Sequence, residues 1–255
     1  MNIPRDQINW KEVGYLRQGQ TRNYDYTLWL NEPLASWDVW DYWERQRIIS
    51  MRDHLKKGDI LIDIGTEQGW CDLVYAQIVG PENMVLVEPT PEFWPNIKAL
   101  WLRNFDNITL PRACFAGFFS NVNSHADYNS LIKYHSWPIS AYGDLIDRNS
   151  YRHLFDESHI AEVPQIKIDD FVLTSEIIPD ALTIDVEGAE LLVLEGAYNT
   201  LQKYPLKVWV SEHPDMALRD YKVKDGQLEE YMKSLGYTRE YLSTDHEIHA
   251  FYSKI

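Results

Sequence analysis

Cysteine is nearly absent from the 255 residues: only Cys71 and Cys114 occur, and neither stands in a C-x-x-C pair or a His/Cys cluster with zinc spacing. That excludes a disulfide framework and a structural zinc site, and a reducing, cytoplasmic compartment is expected. Long apolar runs are missing too, so no segment reaches the roughly 20 residues a membrane-spanning helix needs. Met1-Asn2-Ile3-Pro4-Arg5-Asp6 has no basic region leading into an apolar stretch, so the chain reads as soluble, unexported and without a membrane partner. Positive charge is scarce: 24 Lys and Arg oppose 39 Asp and Glu, a formal charge of −15. A field of that sign repels phosphate backbones, and no nucleic-acid partner is expected. The Ser/His/Asp order, the P-loop and the H-E-x-x-H sequence are all lacking, which removes the corresponding hydrolase and NTPase chemistries. There are no internal repeats and no low-complexity tracts.

What is present is an alternation of short apolar runs and amphipathic stretches. With 45% hydrophobic residues, a chain of this length can bury one substantial core. Residues 1–57 read as an aromatic-rich extension without clear strand alternation, ending in a helix on which Trp40, Trp43, Ile48, Met51 and Leu55 recur at helical spacing. Residues 58–255 read as the main domain. Strands are expected at Ile60–Ile64, Met84–Val87, Ile108–Phe115, Ala181–Asp185, Lys207–Ser211, Thr238–Leu242 and Glu247–Tyr252. Helices are expected after Gly65, after Thr90-Pro91, after Gly188 (carrying Leu191, Leu192, Leu194 and Leu201) and around Leu228–Leu235. Strand–helix repetition with a closing antiparallel pair predicts an α/β fold: a Rossmann-like, doubly wound, mostly parallel seven-stranded sheet. Between 121 and 164 the rhythm fails, and scattered aromatics join His125, His135, His153 and His159; a substrate lid or insertion is expected there. Tyr128, Tyr134, Trp137 and Tyr142 in this stretch could stack on a sugar, although most aromatics in such a domain pack its core.

In an open parallel sheet, ligands bind beyond the carboxyl ends of the strands, and the chemistry-bearing residues fall at those ends. Asp63-Ile64-Gly65-Thr66-Glu67-Gln68-Gly69 follows one strand and opens a helix. Its glycines permit a tight turn and close approach to a ligand, while Asp63 could orient the loop and Thr66 lies within it. Glu88 closes the next strand, where a carboxylate can accept both hydroxyls of a ribose. A dinucleotide would need G-x-G-x-x-G, but position 67 is Glu. An anion there suits a sulfonium cofactor, S-adenosylmethionine, better than a diphosphate.

Ile62-Asp63-Ile64-Gly65, Val87-Glu88-Pro89, Ile184-Asp185-Val186-Glu187-Gly188-Ala189-Glu190 with Leu194 and Gly196-Ala197, and Glu212-His213-Pro214 together resemble the FkbM-type methyltransferases. The resemblance runs from about Trp43 to Tyr252. It implies a class I, S-adenosylmethionine-dependent O-methyltransferase acting on a hydroxyl of a small molecule or sugar. By that resemblance Asp63, Gly65 and Gly69 form the cofactor loop, Glu88 is the ribose acid, and Glu44, with Trp43, matches a position upstream of the first strand. Thr183 departs from the Lys that members often carry, and Glu67-Gln68 from an Ala-Asn type of loop.

Methyl transfer to a hydroxyl needs alignment and one base. His213 is the first candidate, because an ordinary imidazole is half available near neutral pH, and Asp185 is the second, with Glu187 beside it. Either could instead brace a strand end. Asp185, Glu187, Glu190 and Glu212 could also offer oxygens to a divalent ion, but strand-end carboxylates equally hold loops, and no metal is predicted. Two alternatives stay open: a non-catalytic Rossmann-like binding module, and a nicotinamide-dependent oxidoreductase.

Overall fold

The computed structural model describes residues 15–21, 24–30, 44–90, 93–105, 109–124, 131–138, 164–245 and 247–254. The expectations placed on Trp40, Trp43, Pro91, Ile108, His125, Tyr128, Tyr142, His153 and His159 lie outside those residues. Short runs of β-branched and aliphatic residues form the centre: β3 (Leu61–Ile64), β4 (Met84–Val87), β9 (Ala181–Ile184) and β10 (Lys207–Glu212). Every residue of β3, β4 and β9 is buried, the signature of strands covered on both faces. With β5 (Ala113–Phe115), β7 (Ile132–Lys133), β11 (Tyr237–Thr244) and β12 (Ile248–Lys254) they make an eight-stranded sheet in the order β11-β12-β10-β9-β3-β4-β5-β7. The strands from β10 to β5 run parallel, and β12, β11 and β7 are antiparallel to their neighbours.

Period-two alternation sends the strand residues to two cores. Ile62, Ile64, Val85, Leu182, Ile184 and Val208 pack with Phe171, Val193, Leu201 and Met232 on one face. Leu61, Met84, Leu86, Ala181 and Trp209 pack with Ile48, Met51, Leu73, Ile97 and Trp101 on the other. The first face is covered by α4 (Ile168–Ser175), α5 (Glu190–Glu195), α6 (Tyr198–Lys203) and α8 (Gln227–Ser234). The second is covered by α1 (Arg45–His54), α2 (Trp70–Val79) and α3 (Phe93–Asn104). The expected doubly wound, Rossmann-like sheet is therefore present. Among the described residues no helix is long and apolar enough to cross a membrane.

Several elements differ from the sequence reading. The N-terminal region contains an antiparallel pair, β1 (Tyr15–Thr21) and β2 (Tyr24–Leu30), where no alternation was expected. The expected insertion contributes β7 as an eighth strand on the sheet edge. Phe118–Phe119 (β6) and Gln165–Ile166 (β8) pair in a small separate parallel sheet. The helix after Gly188 is two helices that meet around Gly196-Ala197, where a Cβ on Gly196 would overlap the Ser120 carbonyl. A further helix, α7 (Pro214–Tyr221), directly follows β10; Pro214 at its first turn, with φ preset and no amide hydrogen to satisfy, is the signal that marks it.

Candidate active site

The order in which the chain adds strands reverses between the parallel neighbours β3 and β9: β4 and β5 extend one way, β10 and β12 the other. A crevice opens at the carboxyl ends on either side of such a switch point. Three loops meet there. In the first, Gly65 adopts φ +94°, and a Cβ at that position would overlap the carbonyl oxygen of Asp185. The glycine turn is thus packed directly on the loop after β9, whose Asp185 N–H donates to the Ile64 carbonyl at 2.9 Å. Gly65→Ala combines a left-handed conformation with a backbone clash and is expected to cost about 3 kcal/mol or more, read as a lower midpoint in urea unfolding.

Glu88 faces this turn. Its carboxylate accepts the Glu67 N–H at 2.8 Å and the Thr90 N–H at 2.7 Å, and burial pushes its pKa up to about 7 against those stabilising bonds. The Thr90 side chain also hydrogen-bonds this carboxylate, so one lone-pair position is open, and a diol would take the second by displacing that hydroxyl. The loop amides, by contrast, are largely spent: Gly65 and Thr66 donate to the Val87 carbonyl, Glu67 to Glu88, and Gly69 to the Thr66 carbonyl. A diphosphate would find few free donors there. The buried Thr66 hydroxyl has no partner among the described residues. Asp63 is buried and shares a hydrogen bond with the Asp72 side chain. Burial raises both carboxyls, on the side of the turn where α2 begins. Gly69, at φ +83°, starts α2 with Ile97 packed against it.

The second cluster lies beyond β9 and β10. Asp185 Oδ2 lies 3.5 Å from Arg47 Nη1, and Asp185 Oδ1 lies 3.8 Å from His213 Nε2. Burial, Glu247 and Glu44 push the Asp185 carboxyl upward, while Arg47 and His213 pull it down. His213 itself is gripped on both nitrogens, with Nδ1 2.8 Å from Glu190 Oε1 and Nε2 2.9 Å from Glu247 Oε2. Although burial opposes the charge, these hydrogen bonds raise the pKa to about 11. An imidazolium has no lone pair for a substrate proton. Since the unfolded histidine titrates near 6.5, this raised pKa adds stability that is fully present below that pH and is lost as pH rises toward 11. Ring ¹⁵N shifts are expected to show both nitrogens protonated from pH 6 to 9; a midpoint near 6.5 would remove the ion-paired imidazolium.

Glu187 sits in the left-handed region, φ 55°, at the tip of the loop, half exposed, with Oε2 3.9 Å from His213 Nε2. Glu190 also accepts the Gly188 N–H at 2.9 Å. Glu212, grouped with these acids from the sequence, points elsewhere: it alternates with Ser211 along β10 and is held by Arg239 at 3.1 Å through both oxygens and by Tyr252 at 2.8 Å. Glu44, at the N-cap position of α1, is buried against Arg47 and raised by that burial to about 8. Asp185, Glu187 and His213 on one side, and Glu44, Glu247 and His249 on the other, each bring three donor atoms within 4.8 Å. A divalent ion at the first set would have to displace the tightly held proton on His213. Arg47 and Glu247 were missed by the sequence reading: an arginine in the middle of a helix reads as a solvated face, and Glu247 reads as a strand residue.

The described methyltransferase FkbM domain matches residues 63–239, more than half the chain, and spans the glycine turn, Glu88, Asp185 and His213. The chain belongs to the FkbM methyltransferase family, within the S-adenosylmethionine-dependent methyltransferases. Among curated proteins, none matches it in sequence. Among solved structures it is similar to the methyltransferase FkbM of Methylobacillus flagellatus KT, with 12% identity and a TM-score of 0.50 over 78% of this chain and 44% of that one. It thus spans less than half of that protein's length. It is also similar to magnesium protoporphyrin IX methyltransferase of Synechocystis PCC 6803 with bound S-adenosylmethionine (10% identity, TM-score 0.46, 82% and 79% of the two chains). Precorrin-6y C5,15-methyltransferase of Geobacter metallireducens GS-15 is another such structure (10%, 0.45, 82% and 89%). The cofactor is S-adenosylmethionine, and the residues fit it: Glu88 is a buried carboxylate with an acceptor position open, and the unpartnered Thr66 hydroxyl lies on the adjoining turn.

Proposed function

We propose that the chain is an O-methyltransferase acting on a hydroxyl of a small molecule or sugar, with Asp185 as the general base. The observation that carries this reading is the packing of the Asp185 backbone directly on the Gly65 turn, which brings the residue that bears this carboxylate against the candidate cofactor loop. When bound, S-adenosylmethionine supplies an electrophilic methyl group that needs no further activation. The protein then has three tasks. Glu88 and the 65–69 turn fix the adenosine end, Glu88 through the ribose hydroxyls. Asp185 accepts the acceptor hydroxyl's proton as the oxygen takes the methyl group. Burial raises the Asp185 pKa, which makes it a stronger base than an ordinary carboxylate. His213, fixed as a cation by Glu190 and Glu247, steadies the ionised form of Asp185 without taking the proton itself.

A hydroxyl acceptor fits this arrangement because its proton must be lost as the new bond forms. The formal charge of −15 and the acids around Asp185 disfavour a phosphate-rich acceptor. The test is calorimetry with S-adenosylhomocysteine, followed by mass spectrometric screening of hydroxylated metabolites and sugars for a gain of one methyl group. Tight cofactor binding with methylation only at nitrogen or carbon would overturn the oxygen assignment.

A further inference from the structure

Arg47 is buried to 2% exposure on α1, outside the residues matched by the family domain. Its guanidinium reaches four groups on four different segments. Nη1 donates to Ser211 Oγ at 2.5 Å and lies 3.5 Å from Asp185 Oδ2. Nη2 donates to the Tyr75 hydroxyl at 2.8 Å and pairs with Glu44. The chain of bonds continues beyond Ser211. His249 is fully buried and its pKa is lowered to about 4, first by burial and then by Arg47, so its ring is neutral. Ser211 lies 3.1 Å from His249 Nδ1, and His249 Nε2 lies 2.9 Å from Asp245 Oδ1. Asp245 Oδ2 accepts the Glu44 N–H at 3.3 Å. A neutral ring allows one consistent set of directions: Arg47 donates to Ser211, Ser211 to His249 Nδ1, and His249 Nε2 to Asp245. The ring of bonds closes at the start of α1, and Asp185 joins it through Arg47.

We propose that Arg47 is a positioning residue of the methyl-transfer site, through which α1 and the β11–β12 hairpin hold the Asp185 carboxylate in place. This rests on the reading of Asp185 as the base. A salt bridge serving stability alone would need one carboxylate. Here a single guanidinium, whose fork presents several donors in a fixed plane, spans Glu44, Tyr75, Ser211 and Asp185. The groups facing Asp185 are Arg47 and Glu44 from α1, His213 from the turn after β10, Glu247 from the hairpin and Glu187 on its own loop. Arg47 and His213 are the cations of that set, and His213 is already engaged by Glu190 and Glu247. Loss of Arg47 therefore leaves His213 as the cation facing Asp185, with no guanidinium to orient the carboxylate.

Two measurements on the full chain test this. The first follows the side-chain carboxyl ¹³C signal of Asp185, assigned by its disappearance in Asp185→Asn. In Arg47→Gln its titration midpoint is expected to rise by about one unit or more. Arg47→Lys keeps the charge but not the fork, and is expected to lie between. Should Arg47→Gln not fold, the lysine variant decides. The second compares turnover: Arg47→Gln is expected to lower kcat by about 10²-fold with cofactor KM changed less than about threefold, and added guanidinium to recover about tenfold. An unchanged midpoint in both variants, or a kcat loss that guanidinium does not restore, overturns the proposal. Failure of the wild type to transfer a methyl group would instead sink the proposed function, and the carboxyl titration would still decide whether Arg47 holds Asp185.

Discussion

Asp185→Asn is expected to lower kcat by about 10³-fold while S-adenosylhomocysteine affinity changes less than about threefold, as removal of a general base without loss of ligand contacts requires. The asparagine keeps the size of the side chain, and the Asp185 backbone, which meets the Gly65 turn and donates to Ile64, is untouched. What is lost is the site that receives the hydroxyl proton. His213 cannot take over, because Glu190 and Glu247 hold its ring protonated up to about pH 11. His213→Gln is accordingly expected to cost less in turnover than Asp185→Asn. The reverse order, with the histidine variant far slower, would return the base to His213.

Glu88→Ala carries the second large effect. It removes the group placed to accept both ribose hydroxyls, and two charge-assisted hydrogen bonds are worth about 3 kcal/mol together after desolvation, or roughly 10²-fold in Kd. The pH dependence follows from the same carboxylate. Its pKa in the folded protein is about 7, raised from 4.5 by burial, and only the ionised form can accept two hydroxyls. Affinity for S-adenosylhomocysteine is expected to rise roughly tenfold from pH 6 to pH 8 as Glu88 deprotonates, and Glu88→Gln should flatten that slope. For the free protein the sign is opposite. The folded state keeps a proton that the unfolded chain loses above pH 4.5, so the contribution of Glu88 to stability declines as pH rises from about 4.5 to about 7.

The sheet and its strand-end residues were legible in the sequence because both obey short-range rules. Short apolar runs such as Met84–Val87 suit strands covered on both faces, and the glycine turn after Ile64 and the acid after Val87 mark the ends of two of them. The shorter pieces were not legible. Phe118–Phe119, Gln165–Ile166 and Ile132–Lys133 are pairs of residues whose strand character comes from their partners rather than from any local pattern. The helix Ile168–Ser175 follows too closely on such a strand to stand out.

Within the site, residue identity marked a candidate loop but not the protonation states. An imidazole alone suggests a base; only the carboxylates of Glu190 and Glu247, contributed 23 residues earlier and by the C-terminal hairpin, turn His213 into a cation. Arg47 escaped for a related reason, since its four partners are assembled by tertiary structure and none is its sequence neighbour except Glu44. Glu212 misled in the other direction: one step along β10 from Ser211, it faces Arg239 rather than the crevice.

The most direct measurement is a crystal structure with S-adenosylhomocysteine bound. Both ribose hydroxyls should donate to Glu88, and the sulfur should lie over the Gly65 turn on the side facing Asp185. A ligand whose ribose avoids Glu88, or whose sulfur faces away from Asp185, would contradict the assignment of this crevice as the site of methyl transfer.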